Sequence, residues 1–197
     1  MINYPKCVII NNERYDINTN FKVAIRCQEV ATDETIGDTE RALAIIYLLF
    51  GEKGLNSDSC GELLNYAKKY LSCNKELKAN NEKPDMDFSE DYPFIKASFR
   101  SDYNMDIDKE DLHWWEFFDL VNGLSNSEMG NCCILNRIRN IRNYDLSKID
   151  NPKERNKMRE AKEQVALKKY KPKKIEPTEE QKRNAIEFYK SLEQGGE

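Results

Sequence analysis

Apolar positions recur along this chain at helical spacing almost throughout. The exception is the start, where KCVII (residues 6–10) is β-branched and aliphatic and ERYDI (13–17) alternates polar and apolar. Between them, Asn11-Asn12 tolerates the positive φ angles of a tight turn, so a hairpin is expected. A lone hairpin is marginal and must pack on something, here the helices that follow. Thr19 or Asn20 can cap a helix over about 21–31, with Phe21, Ala24 and Ile25 as its inward contacts. A second helix is expected over about 39–50, capped by Asp38 or Thr39 and ended by Gly51 and Gly54. After Arg41 it is apolar on every side, which predicts that protein surrounds it. Ser59-x-x-Glu62 reads as a capping box for a third helix through about Leu71.

Residues 74–87 carry almost no large apolar side chains and read as a flexible loop. Beyond it, Asp87-x-x-Glu90 can cap a helix whose stripe is Phe88, Tyr92, Ile95, Phe99 and Tyr103. LHWWEFFDLVNGL (112–124) holds both tryptophans. Ser125 or Asn126 can cap a further helix containing Met129, Cys132, Cys133, Leu135 and Ile138. Pro152 opens a helix from about 153 to 170 with a thin stripe of Met158, Ala161 and Val165, and KPKKIEPTEE then reads as a joint before a short helix at 179–192. The pattern predicts a mainly α fold: a compact multi-helix domain over 1–150 with a small N-terminal β-hairpin, and a basic C-terminal helical arm over 151–197 jointed at about 171–178.

Composition narrows the class. The 197 residues are 39% hydrophobic and 34% charged, enough for one sizeable core beneath extended solvated helix surface. No apolar run approaches the ~20 residues that span a bilayer, and the N-terminus lacks the pattern of a signal peptide. The six cysteines form no Cys-x-x-Cys pair and read as reduced thiols. The net charge of -4 conceals a strong asymmetry: residues 82–111 hold 10 acidic and 4 basic groups, whereas residues 137–174 hold 14 basic and 5 acidic.

Chemistry-bearing motifs are scarce. There is no glycine-rich phosphate loop and no short metal or cofactor motif, so no enzyme activity, cofactor or metal is expected. The single histidine, His113, reads as a helix-surface or core-edge residue. Asp102, Asp106, Asp108, Glu110 and Asp111 lack the ligand spacing of a calcium loop and read as solvated surface. The block His113, Trp114, Trp115, Phe117 and Phe118 has two readings: a central helix wedged between neighbours, or in part a protein-binding hot spot. Arg139, Arg142, Lys153, Arg155, Arg159, Lys162, Lys168 and Lys169 are candidates for electrostatic contact with an acidic protein, with a second copy or with nucleic acid. No recognition-helix or RNA-sheet motif accompanies them, which favours protein.

Several ordered pieces together resemble the bacteriophage gene product fifteen family, found in the tail modules of phages and prophages of low-GC Gram-positive bacteria. They are residues 8–30, DYPFIKASFRSDYNMDI (91–107), LHWWEFFDLVNGL, and Arg139, Arg142, Asp145, Leu146, Ser147 and Ile149 before the helix at Pro152. The resemblance spans about residues 4–170. It implies a role in tail morphogenesis in the cytoplasm of the bacterial host, as a tail assembly chaperone that binds the tape measure protein. A structural tail component is the alternative, and the resemblance carries no catalytic residues.

Overall fold

A computed structural model describes residues 4–75, 84–126, 132–170 and Arg183. Strand β1 (Cys7–Ile10) runs antiparallel to β2 (Glu13–Asp16), with Cys7 opposite Asp16 and Ile10 opposite Glu13. Both turn residues are left-handed, Asn11 at φ 50° and Asn12 at φ 65°, which matches the right-handed twist of the strands. The hairpin is fastened to the helices: the Asn11 amide donates to Ser59 Oγ at 2.9 Å, and the buried Tyr15 shares a hydrogen bond with Ser57 at 2.6 Å.

Seven α-helices follow among the described residues: α1 Phe21–Ala31, α2 Asp38–Leu55, α3 Cys60–Leu71, α4 Tyr92–Tyr103, α5 Trp114–Asn122, α6 Ile134–Asn143 and α7 Pro152–Val165. The architecture is mainly α, as the periodicity predicts. Asn20 caps α1, accepting from the Lys22 N–H at 2.8 Å. The N-termini of α1 and α5 are sewn together by backbone: Phe21 N–H donates to Leu112 O at 3.1 Å and Trp114 N–H to Thr19 O at 2.7 Å. This brings Phe21 against Phe117, ring centroids 4.4 Å apart, and Phe99 of α4 stacks on the same ring at 5.5 Å. Phe117 is therefore the point where α1, α4 and α5 meet.

Several local expectations give way to tertiary contacts. Helix α2 is not enclosed: Ile45, Ile46, Leu49 and Phe50 are buried, but Leu43 is 40% and Tyr47 51% exposed. Its N-cap is Gly37, whose N–H donates to Glu40 at 2.7 Å, and helical geometry breaks at Gly51 (φ 66°) before one more turn to Leu55. The Ser59 capping box is absent: Ser59 makes no side-chain cap bond, and its hydroxyl accepts from Asn11 of the hairpin turn. Asp87 caps a preliminary turn through Ser89 and Glu90 N–H, and α4 starts only at Tyr92. Helix α6 begins at Ile134 rather than near Ser125, with Cys133 as its N-cap, so Cys132 and Cys133 precede it. Of the expected loop at 74–87, residues 76–83 lie outside the described residues, as do Met129, the joint and the 179–192 helix apart from Arg183.

The expected boundary near residue 150 also moves. Met1–Leu167 forms one compact unit and Lys168–Glu197 a second. Helix α7 belongs to the first because its Met158, Ala161 and Val165 edge is half-buried and Leu167 is buried. In the second unit, the described residues include a 3₁₀ turn at Lys168–Tyr170.

Candidate functional site

The aromatic block is built inward. Trp114 and Phe117 are fully buried, while His113, Trp115 and Phe118 are half-buried. The two indoles act as internal donors at the end of α3: Trp114 Nε1–H reaches Leu71 O at 3.1 Å and Trp115 Nε1–H reaches Tyr70 O at 2.9 Å. Carbonyls in the last turn of a helix lack the usual i+4 donor, and the Trp114 indole fills that role for Leu71, while the Trp115 indole adds a further donor to Tyr70 O, which also accepts from Cys73 N–H at 3.0 Å. Phe118 lies under the Lys75 ammonium, 4.4 Å from its centroid. The block is thus mainly a helix-docking device, and the most exposed large apolar side chains lie elsewhere among the described residues: Ile9, Leu43, Tyr47, Leu55 and Tyr144.

His113 is the N-cap of α5. Its Nδ1 accepts from Trp115 N–H at 3.0 Å and its Nε2–H donates to Pro5 O at 2.9 Å, which sets the tautomer with the proton on Nε2. Tyr4 stacks on the imidazole at 5.0 Å and hydrogen-bonds Asp119. Both ring nitrogens are committed to backbone, a positioning role. His113→Ala should therefore cost about 1–2 kcal/mol in a denaturant melt, with His113→Asn recovering most of it. Equal losses in the two variants would show that the cap is not what His113 contributes.

The basic candidates divide into two groups. Arg142 is 10% exposed and grips Asp91, itself 1% exposed, through two parallel bonds of 2.7 and 2.8 Å. The same guanidinium donates to Asp85 O at 2.8 Å and to Val165 O at 2.6 Å. Arg139 pairs with Asp85 at 3.1 Å. These two arginines are structural: they join α6 to the start of α4 and to the end of α7, and are not free to meet a partner. Arg155 donates to Ile149 O and Lys162 to Tyr144 O, holding α7 against the chain before it. Arg159 donates to its neighbour Asn156, and Lys153, Arg159, Lys168 and Lys169 are exposed. Part of the acidic segment is therefore neutralised within the chain by part of the basic one.

Several of the other acidic groups are also tied down. Asp108 accepts from Lys96 and from Tyr92 OH, and these bonds, Lys96 first, hold its carboxyl below the usual range. Burial, then the bond to Asp108, pushes the Tyr92 phenol up. Asp106 faces Lys96, Arg100 and Lys109, and Asp111 accepts from Asn20 at 2.7 Å. Among the described residues, no group of three or more His, Cys, Asp or Glu is placed to hold a metal ion.

This chain matches the family described as Bacteriophage Gp15 protein over residues 3–167. The chain belongs to the bacteriophage Gp15 family. It is a phage protein. No curated protein and no solved structure matches it. The family match ends at the residue that closes the first structural unit, so the Gp15 region and the packed body coincide.

Within that Gp15 body two of the thiols are unsuited to nucleophilic work. Burial pushes Cys27 and Cys73 each up to about 12, so both stay protonated at neutral pH. No helix among the described residues is long and apolar enough to cross a membrane. The residues that the sequence pattern overlooked are Asp85 and Asp91, submerged in an acidic run, and Leu43 and Tyr47. Tyr47 was the one signal available for the second pair: a phenol in an otherwise aliphatic helix marks a side that reaches water.

Proposed function

We propose that this Gp15-family protein serves in phage tail morphogenesis as a chaperone of the tape measure protein, acting in the host cytoplasm by binding rather than by catalysis. Family membership over residues 3–167 carries the phage assignment, and the resemblance to tail-module proteins supports the finer reading. The contact surface suggested by the aromatic block alone needs revision, because Trp114 and Phe117 are spent inside the fold. Leu43 and Tyr47, one helical turn apart on α2, offer an exposed apolar stripe on which an amphipathic helix of the tape measure can lay its own apolar side. The exposed Lys153 and Arg159 of α7 add electrostatic steering rather than most of the affinity.

Affinity capture from induced cells, compared with the protein content of purified virions, tests this reading. The expected result is the tape measure bound in lysates and the Gp15-family protein absent from finished tails. Fixed stoichiometry in infectious particles would make it a structural component instead. Capture of no tail protein, together with normal tails after gene deletion, would reject both. At residue level, Leu43→Glu with Tyr47→Glu should reduce tape measure capture at least about tenfold while shifting the melt by less than ~1 kcal/mol. Unchanged capture would move the contact away from α2.

A further inference from the structure

The hairpin has one charged edge and one apolar edge. A two-residue turn makes Ile10 and Glu13 a hydrogen-bonded pair, so by alternation Val8 and Tyr15 form the next, while Ile9 and Cys7 turn their N–H and C=O groups away from β2. Two contacts confirm this parity. Ile17 N–H donates to Lys6 O at 2.9 Å, continuing the bonded series, and Arg14 O on the opposite edge points out to accept from Lys53 Nζ at 2.7 Å. The β2 edge is guarded by charge: its outward residues are Arg14 and Asp16, and the Lys53 ammonium of α2 sits on Arg14 O. The sheet has two strands, and among the described residues nothing hydrogen-bonds the outward groups of Cys7 and Ile9.

Apart from its shortness, this open edge lacks the usual safeguards. The strand itself is CVII, without charge, proline or bulge, and Ile9 is 70% exposed, the highest value among the large apolar side chains described. Tyr4 and Pro5 are held away from it, because Pro5 O accepts from His113 and Tyr4 stacks on the same ring.

We infer that two copies of this chain associate through their β1 edges, forming a four-stranded antiparallel sheet in the order β2-β1-β1-β2 about a two-fold axis at Val8. The sequence is self-complementary in that register. Each Cys7 faces Ile9 of the second copy as a hydrogen-bonded pair, giving four new backbone bonds, and Lys6 lies opposite Ile10, so no like charges oppose each other. Ile9 and Cys7 share the side of the strand away from the core, and pairing places each Ile9 against the Cys7 of the other copy. The pairing is isologous and closes at two, unlike the head-to-tail association that opposite charge regions would drive. A four-residue strand buries little area, so the association is weak and appears at high concentration. It is independent of tape measure binding.

Sedimentation of the full chain up to about 1 mM, combined with residue-resolved hydrogen exchange, tests the pairing. The expected result is a monomer–dimer equilibrium in which the Cys7 and Ile9 amides gain at least about tenfold protection as dimer forms. The Val8 and Ile10 amides should be protected at every concentration. Ile9→Lys should abolish both the dimer and the concentration-dependent protection, with retained protection at Val8 reporting an intact hairpin. Three outcomes would overturn the inference: a monomer throughout, a dimer with Cys7 and Ile9 amides still exchanging freely, or protection independent of concentration. The last would mean that another segment of the same chain covers the edge.

Discussion

Arg142→Ala should destabilise the first structural unit by about 3–5 kcal/mol, the cost of leaving a buried charge without its partner. Asp91 is almost fully buried and receives both guanidinium bonds, so removing Arg142 strands the carboxylate in a site from which water is excluded. The backbone acceptors Asp85 O and Val165 O lose a donor in the same step. Arg142→Lys should recover only part of the loss, because an ammonium cannot grip both carboxylate oxygens in a parallel pair. Pairing Arg142→Met with Asp91→Leu should restore much of the stability, since a buried ion pair is often replaceable by apolar groups of similar volume. Urea melts of the three variants decide the matter. A loss below ~1 kcal/mol for Arg142→Ala would show that the clasp does not hold α4, α6 and α7 together.

Trp114→Ala is expected to cost about 3–5 kcal/mol, and Trp115→Ala distinctly less, about 1.5–3 kcal/mol. Both remove an indole donor from a carbonyl of α3, but only Trp114 is fully buried. Its ring meets Phe88 at 5.3 Å and Phe117 at 5.9 Å, so truncation opens a cavity at the centre of the aromatic cluster. Trp115 leans on Tyr70 at 6.0 Å with one side toward solvent, where neighbours can close over the gap. Equal losses for the two variants would mean that the hydrogen bonds, and not the burial, dominate.

The contrast between these tryptophans shows where sequence reasoning stops. At 100° per residue, Trp114, Phe117 and Val121 share one side of α5, and all three are buried. That much is local geometry. Which carbonyl each indole reaches depends on α3, 43 and 45 residues away in the chain. The candidate site was legible in the same partial way. Aromatic density located the block, but its use as internal packing rather than as a contact surface required knowing what lies on both sides of it.

Sequence alone determined most of the elements: a hairpin with its turn at Asn11-Asn12, helices near their observed positions except for the starts of α4 and α6, and the family to which the chain belongs. Hydrophobic period, left-handed turn residues and a cap such as Asn20 are set within a few residues, so they can be read without the fold. Tertiary structure alone decided which charges are spent and which apolar surface remains. Asp91 and Arg142 look like any exposed acid and base until the chain brings them together across 51 residues. The all-apolar α2 looks enclosed until Leu43 and Tyr47 emerge at its surface. The physical reason is the same in both cases: a side chain's desolvation and its partners belong to the space around it, and that space is assembled from distant parts of the chain.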